Sequence, residues 1–300
     1  MQTAVRIDAA IESLRQLGFA RLQSLGWHFQ PCDFYSPLNE VAFLRENRDL
    51  WEAYEPAGID MDLERQLRIA REVSRHVEEL RDVPAHSDDP AVYHWQNNFW
   101  NNADALVQYG LIRARKPRRV IEIGCGWSSL LLARATRANE AEGSHRTEVT
   151  QIEPYSRREI MATLPSHWKL YERILQRAPL EIFDTLADGD ILFYDGSHCS
   201  KVASDVNWFF FRVLPRIKAG VLIHLHDVFF PGDYPEPWIF DRGQTWNEQY
   251  ILQAFLMDNA RYQVEICNSH ICHHRSEQLE ALYKGVAPHW GCSIWIRKVG

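Results

Sequence analysis

The sequence lacks the features that mark several common protein classes. Its six cysteines are scattered and form no CxxC pair, which favours reduced thiols over a disulfide framework. No apolar run approaches the roughly 20 residues that span a bilayer, and residues 6–21 carry charges throughout instead of the apolar core of a signal peptide. No common zinc spacing fits the late group Cys267, His270, Cys272, His273 and His274. We therefore expect a cytoplasmic protein with no membrane partner.

Positive charge is also scarce. The chain has 33 Lys and Arg against 40 Asp and Glu, for a formal net charge of −7. A polyanion would meet net repulsion, so nucleic acid is disfavoured as the main ligand. Hydrophobic residues, by contrast, make up 46% of the 300-residue chain, enough for a sizeable core. The expected ligand is a small molecule. The sequence does not decide between a monomer and a homo-oligomer.

The hydrophobic pattern divides the chain in two. Residues 1–85 predict a helical N-terminal region, a cap or a dimer surface, with the clearest helical periodicity over 62–80. Residues 86–300 alternate short apolar runs with helical segments, which predicts a Rossmann-like, doubly wound α/β domain. The predicted strands are 120–123, 148–152, 168–172, 190–194, 220–225, 262–267 and 292–297. The predicted helices of this part are 104–115, 129–138, 156–164, 204–214, 247–259 and 277–284.

The strongest local signal is a strand that runs through two glycines into a helix start, Val120-Ile-Glu-Ile-Gly-Cys-Gly-Trp-Ser-Ser129. Gly124 and Gly126 permit a tight turn and close approach of a ligand, while Ser128 or Ser129 can cap the helix. Nicotinamide-binding folds share such a glycine pair, so an NAD-dependent oxidoreductase stays an alternative. Two features argue against it: Ser129 stands where a dinucleotide fingerprint has its third glycine, and Glu122 lies inside the strand.

Acidic and amide side chains near this turn predict a nucleoside-containing cofactor. A buried carboxylate at Glu122 needs a partner, either the ammonium of a methionine moiety or nearby backbone amides. Glu153 follows the second strand, where it can accept both hydroxyls of a ribose. Gln176 is a candidate contact to an adenine edge. Cys125 is expected to contribute its backbone more than its thiol.

Four polar residues follow two further strands: Asp195, His198, His226 and Asp227. The carboxyl ends of parallel strands line the ligand crevice, so we expect these four side chains beside the reacting end of the cofactor. Asp195 is expected to contact the cofactor as well as to take part in the reaction. One way to activate a hydroxyl there is a general base, for which His198 and His226 are candidates, with Asp195 or Asp227 orienting the ring. The other is a divalent metal, for which Asp195, His226 and Asp227 are the candidate ligands. A mixed His/Asp set suits manganese, iron or zinc better than magnesium.

Three segments together, residues 120–129, 151–155 and 190–228, resemble the class I S-adenosylmethionine-dependent methyltransferases. More narrowly, Tyr194-Asp-Gly-Ser-His198, Ser204-Asp-Val206 and Gly220-Val-Leu-Ile-His-Leu-His-Asp227 are similar to the family-24 type, which is itself similar to metal-assisted O-methyltransferases. The resemblance implies a seven-stranded sheet with an antiparallel last strand. It also implies S-adenosylmethionine as cofactor, with Glu122 and Gly124 at the methionine end and Glu153 at the ribose.

The resemblance further implies O-methylation of a small hydroxylated acceptor, such as a sugar or a secondary metabolite. Magnesium, manganese or a similar divalent metal is the open cofactor question. An N-acceptor and a non-catalytic scaffold that only binds the cofactor are the remaining alternatives, because fold analogy alone does not determine function.

Overall fold

The computed structural model describes residues 2–52 and 54–300, with side chains from Ile7 onward. The chain forms two compact units. The first comprises the residues up to Leu50 together with Glu236–Thr245, and the second comprises Trp51–Pro235 with Trp246–Gly300. The second unit thus takes in residues 51–85, which the hydrophobic pattern assigned to the N-terminal region. No helix in the described ranges is long and apolar enough to cross a membrane.

The first unit is helical, as predicted. An ion pair between Arg48 and Glu236 joins its two segments, and the Arg45 guanidinium lies 5.2 Å from the centre of the Phe240 ring. Leu22 is buried, whereas most other apolar side chains described in this unit are exposed. Its α-helices are α1 (Gln2–Leu17), α2 (Phe19–Ser24), α3 (Val41–Glu46) and α9 (Glu236–Phe240).

The second unit is built on a seven-stranded sheet with the order β3-β2-β1-β4-β5-β7-β6. The first five strands are parallel, and β7 runs antiparallel to both β5 and β6. This confirms the predicted sheet with its antiparallel last strand. The strands are β1 (Arg119–Ile123), β2 (Glu148–Ile152), β3 (Lys169–Tyr171), β4 (Ile191–Tyr194), β5 (Leu222–Leu225), β6 (Tyr262–Cys267) and β7 (Ile294–Lys298).

Helices cover both faces of the sheet, and an apolar cluster lies on each face. The central strands β4 and β5 are buried along their whole length, as expected of continuous apolar runs in a parallel sheet. On one face α4 and α5 pack closely, since a Cβ at Gly110 would lie 2.7 Å from Val73 Cγ1. The α-helices of this unit are α4 (Leu63–Ser74), α5 (Asn102–Arg115), α6 (Trp127–Ala141), α7 (Arg158–Met161), α8 (Asp205–Trp208), α10 (Glu248–Leu256) and α11 (Asn268–Tyr283).

Three predicted helices differ from those observed. The segment 204–214 divides into α8, a π-helical turn at Phe209–Val213 and a 3₁₀ turn at Leu214–Arg216, where Pro215 cannot continue an α-helix. The segment 156–164 keeps only the single turn α7. The last helix starts at Asn268, not at residue 277, and bends at Arg275. Its polar first half has no apolar stripe, so the periodicity did not indicate it.

Candidate active site

The turn between β1 and α6 depends on a glycine. Gly124 has φ +82°, and a Cβ at this position would lie 1.9 Å from the backbone oxygen of Asp195. The close approach arises because the Asp195 amide donates to Ile123 O at 2.9 Å, which joins the ends of β1 and β4. Gly126 is extended (φ 177°) and would meet no atom within 4 Å. The first glycine is therefore required by the fold, and the second leaves open space before α6.

Glu122 supports this turn from inside the protein. Its carboxylate is fully buried and accepts hydrogen bonds from Ser128 Oγ at 2.9 Å, Ser129 Oγ at 2.8 Å and Gln151 Nε2 at 2.7 Å. Burial raises the pKa of this carboxyl to about 7. The sequence predicted a methionine ammonium or nearby backbone amides as partners of Glu122; the structure instead shows side-chain donors. The hydroxyls of Ser128 and Ser129 bond inward to this carboxylate, so the backbone of the turn is what faces the open space.

Glu153 holds the opposite edge of the turn. Its carboxylate accepts from the amide of Cys125 at 3.1 Å and from that of Tyr155 at 2.6 Å. The carboxylate borders a cavity of about 300 Å³ that also contacts Gly124, Gln176 and Asp195. The Gln176 amide nitrogen donates to Ala203 O at 2.7 Å, whereas its buried Oε1 has no hydrogen-bond partner among the described residues. The predicted nucleoside-binding residues therefore line one cavity.

A second cavity, of about 210 Å³, opens at the start of α6. It shares Gly124, Glu153 and Asp195 with the first cavity, so both cavities adjoin the turn between β1 and α6. Arg157 lies at its mouth, with its guanidinium 5.2 Å from the centre of the Phe99 ring. Asp195 borders both cavities. The sequence predicts that this residue contacts both the cofactor and the reacting groups.

His198 lies among three carboxylates. Its Nε2 is 3.3 Å from Asp195 Oδ1 and 3.3 Å from Asp227 Oδ2, and its Nδ1 is 3.0 Å from Glu248 Oε2. Burial disfavours the charged ring, but Asp195 and Glu248 outweigh it and hold the pKa of His198 well above its usual range. His198 is therefore an imidazolium at neutral pH in this arrangement. Burial raises the pKa of Asp195, but the neighbouring imidazoles of His226 and His198 outweigh this effect and keep that pKa below its usual range.

Glu248 was not among the sequence candidates. It opens α10, where its own amide and that of Asn247 both donate to His198 O, at 3.2 and 3.0 Å. Its carboxylate is 2% exposed, and burial raises its pKa. The Trp246 ring packs at 4.3 Å from the His198 ring. The available signal was the acid within Trp246-Asn-Glu-Gln-Tyr250, but its distance from His198 in the sequence concealed the pairing.

His226 and Asp227 end β5 beside the same group. His226 Nδ1 is 3.7 Å from Asp195 Oδ1 and 3.7 Å from Asp227 Oδ1, and its Nε2 is 3.8 Å from Asp104 Oδ2. Asp104, in the first turn of α5, was also missed. All four predicted polar residues thus come together, and Glu248 and Asp104 join them.

The structure distinguishes His226 from the histidine two residues before it. His224 is fully buried and stacks on Phe193 with 3.9 Å between the ring centres. Burial lowers its pKa to about 3, so it is a neutral core residue. His226 instead faces carboxylates at the strand end.

Two groups of potential metal ligands are compact in the described part of the chain. One consists of Glu55, His270 and His274, and the other of Asp104, His226 and Cys292. His270 and His274 belong to the cluster for which the sequence offered no zinc pattern. The predicted set of Asp195, His226 and Asp227 is adjacent to the second group and shares His226 with it.

Comparison with known proteins supports this reading of the sheet. Residues 121–228 match the Methyltransf_24 family, described as a methyltransferase domain. An uncharacterized protein of Archaeoglobus fulgidus is 28% identical over 179 residues, which cover 56% of this chain and 78% of that protein. The segment matched by the family runs from β1 past the end of β5. It contains the glycine turn and the four polar residues predicted from the sequence, whereas Asp104 and Glu248 lie outside it.

Two solved structures are distantly similar. A structure of cmcI with Mg and SAM is 17% identical, covers 89% of this chain and 100% of that chain, and gives a TM-score of 0.40. The MycE methyltransferase from the mycinamycin biosynthetic pathway, in complex with Mg, SAH and mycinamycin VI, is 14% identical. It covers 76% of this chain and 53% of that chain, with a TM-score of 0.34. At these values the likenesses carry no argument about the ligands of this chain.

The sheet order and the glycine turn are those expected of a class I S-adenosylmethionine-dependent methyltransferase, and residues 121–228 match a methyltransferase domain. The match confirms, for this part of the chain, the resemblance to the family-24 type found in the sequence.

Proposed function

We propose that this chain transfers the methyl group of S-adenosylmethionine to a hydroxyl oxygen of a small acceptor. The observation that carries the proposal is the position of Asp195. Its carboxylate borders both cavities around the glycine turn, and its side chain is 31% exposed, whereas those of His198, His226 and Asp227 are each 8% exposed. Asp195 is thus the member of the polar cluster best placed to touch a ligand.

The larger cavity suits the nucleoside of the cofactor. Glu153 is held at its rim by two backbone amides and keeps its remaining lone pairs for the ribose hydroxyls. The unpartnered Oε1 of Gln176 is an acceptor for the amino group of adenine. The smaller cavity, at the N-terminus of α6, suits the methionine carboxylate, because helix N-termini favour anions. Glu122 acts on this site through the turn, which it positions.

The proton of the acceptor passes to Asp195 in this account. As the hydroxyl oxygen attacks the methyl carbon, the carbon–sulfur bond breaks and S-adenosylhomocysteine leaves as a neutral thioether. The new ether oxygen is then positively charged and strongly acidic, so even a carboxylate of low pKa can take its proton. His198, held as a cation by Glu248, keeps Asp195 ionised and oriented. His198 and His226, the bases expected from the sequence, serve here as positioning residues.

Asp195 and Asp227 are the residues that would hold a divalent cation beside the acceptor. His198 Nε2 lies between their carboxylates, 3.3 Å from each, so this pair already shares one cationic neighbour. A divalent cation supplies one thing here, a lower pKa for the acceptor hydroxyl. His226 Nδ1, 3.7 Å from both carboxylates, completes the ligand set expected from the sequence.

The acceptor is proposed as a class: a small hydroxylated molecule such as a sugar or a secondary metabolite. Trp246 is half-buried and lies beside His198, with ring centres 4.3 Å apart, and aromatic faces of this kind pack on flat or sugar ligands. An amine acceptor would need less help with deprotonation. A scaffold that binds the cofactor without turnover is the alternative of a different class.

The test is transfer of a labelled methyl group to a panel of small hydroxylated compounds, with S-adenosylhomocysteine quantified by mass spectrometry. We expect product with the wild type and a loss of roughly 100-fold in Asp195→Asn. Full activity of Asp195→Asn would remove Asp195 as proton acceptor. Transfer to amines alone would show N-methylation in place of the proposed O-methylation. Cofactor binding with no transfer to either would support the scaffold.

A further inference from the structure

A compact triangle of different ligand types lies behind the cavity wall. Asp104 Oδ2 and Cys292 Sγ are 3.6 Å apart, Cys292 Sγ and His226 Nε2 are 3.7 Å apart, and His226 Nε2 and Asp104 Oδ2 are 3.8 Å apart. The three residues come from α5, the end of β5 and the segment before β7. We propose that these atoms bind a transition-metal ion, zinc or a similar borderline cation.

Cys292 Sγ is within reach of a sulfur hydrogen bond to both partners, and to Asp227 Oδ1 at 3.4 Å. The nitrogen–oxygen side is therefore what separates this triangle from a set of hydrogen bonds. Tetrahedral zinc has bonds of about 2.3 Å to sulfur and about 2.0–2.1 Å to nitrogen or oxygen, so its ligand atoms lie about 3.3–3.6 Å apart. All three observed distances are close to this range and nearly equal. The nitrogen–oxygen distance of 3.8 Å is too long for a hydrogen bond. A cation at the centre would need only small movements of the three side chains.

The surrounding groups orient the ligands as a metal site requires. A metal bound to His226 Nε2 leaves the ring proton on Nδ1, which then needs an acceptor. Asp195 and Asp227 are the acceptors beside it, each 3.7 Å from Nδ1, so a small rotation of the ring has to bring one of them within hydrogen-bond distance. The Asp104 carboxylate is fixed by Asn268 Nδ2 at 2.8 Å and by the Cys292 amide at 2.9 Å. Thiolate, imidazole and carboxylate together favour zinc over magnesium.

The other compact group does not meet the same criteria. Glu55 lies 2.7 Å from His274 Nε2 and 3.1 Å from His270 Nε2, which are hydrogen-bond distances. The Gln66 amide nitrogen faces His270 Nδ1 at 3.2 Å, and Gln66 Oε1 is already used by the Cys267 amide. Nδ1 is therefore the acceptor and Nε2 carries the proton, so Nε2 has no lone pair for a metal. This group is a hydrogen-bonded cluster around the Glu55 carboxylate.

The proposed site does not rest on methyl transfer, but it changes the role of His226. If Nε2 binds the metal with Asp104 and Cys292, then Nδ1–H points at Asp195 and Asp227, and His226 is not a ligand of a cation held by those two carboxylates. The metal would hold α5, β5 and the segment before β7 in register behind the acceptor site. The two assignments of His226 exclude each other.

Cobalt binding tests the site directly. The purified full chain is stripped with a chelator and titrated with Co²⁺ while the absorption spectrum is recorded. We expect one equivalent with thiolate-to-cobalt charge transfer and a tetrahedral visible spectrum. Cys292→Ser should remove the charge-transfer band, and Asp104→Asn should weaken cobalt binding by about tenfold or more. Cys272→Ser, another half-buried free cysteine, and Glu55→Gln are matched controls that should keep the band.

The outcomes separate this proposal from the proposed function. Asp195→Asn should lose methyl transfer while it keeps the cobalt band. X-ray absorption of the zinc-loaded wild type covers the case in which a variant fails to fold, and should find one sulfur at about 2.3 Å. A zinc shell of nitrogen and oxygen alone, a cobalt spectrum without thiolate character, or a band that survives Cys292→Ser would overturn the site.

Discussion

His198 Nδ1 and Glu248 Oε2 lie 3.0 Å apart, although the two residues are separated by fifty positions in the chain. Both side chains are buried, at 8% and 2% exposure, so the contact fixes the imidazole plane. The other ring nitrogen is thereby directed at Asp195 and Asp227. The acidic start of α10 thus orients the group that neighbours the reacting carboxylate.

Glu248→Gln should lower turnover with little effect on cofactor affinity. The amide keeps the size of the side chain but removes a negative charge that stabilises the His198 cation, so the pKa of His198 should fall. We expect a loss of kcat of about tenfold or more. Proton NMR of the His198 ring against pH gives the pKa, and Glu277→Gln on the exposed face of α11 is the control. An unchanged His198 titration would contradict the contact.

Glu153→Gln should weaken binding of S-adenosylhomocysteine. Gln retains one acceptor oxygen but places a donor against either the Cys125 or the Tyr155 amide, so the rim of the cavity is disturbed. We expect a loss of about 1–3 kcal/mol in binding free energy, measured by calorimetry. Glu172→Gln, an exposed acid that accepts from Ser156, is the matched control. Equal affinity in both variants would remove Glu153 from the ribose site.

Gly124→Ala and Gly126→Ala form a matched pair for stability. The first places a Cβ 1.9 Å from Asp195 O at a positive φ, whereas the second meets no atom within 4 Å. We expect Gly124→Ala to cost about 2–4 kcal/mol of unfolding free energy and Gly126→Ala less than about 1 kcal/mol. Chemical denaturation of the cofactor-free protein measures both. Similar losses in the two variants would show that the turn tolerates a side chain at residue 124.

Glu122 predicts a pH dependence of stability. Its folded-state pKa of about 7 lies above its ordinary value of 4.5, so between these values the folded chain holds a proton that the unfolded chain releases. The stability from the protonated form is fully present below pH 4.5, declines as pH rises, and is lost above pH 7. Glu122→Gln should remove this decline, which amounts to about 3 kcal/mol. Parallel curves for wild type and variant, from urea unfolding between pH 4.5 and 8, would argue against the raised pKa.

The sequence predicted the parts of the site that follow strands. Buried apolar runs locate β1, β4 and β5, and in a parallel sheet the residues after them must meet at one edge. Asp195, His198, His226 and Asp227 could therefore be grouped before any coordinates.

Residues contributed by helices and by long-range pairs could not be predicted in this way. Glu248 and Cys292 reach the cluster only because α10 and β7 return to the same edge, and no local pattern encodes that return. Asp104 looked like an ordinary acid in the first turn of α5. The hydrogen bonds of Glu122 with Ser128 and Ser129 could not be predicted either. Alternation along a strand predicts which face of the sheet a side chain lies on, but not which residues it contacts.

Calorimetric titration of the purified chain with S-adenosylhomocysteine, with NAD as the parallel control, tests directly whether the glycine turn and Glu153 form an S-adenosylmethionine site. We expect binding of S-adenosylhomocysteine with a dissociation constant in the micromolar range and no binding of NAD. Binding of NAD alone, or of neither compound, would contradict it.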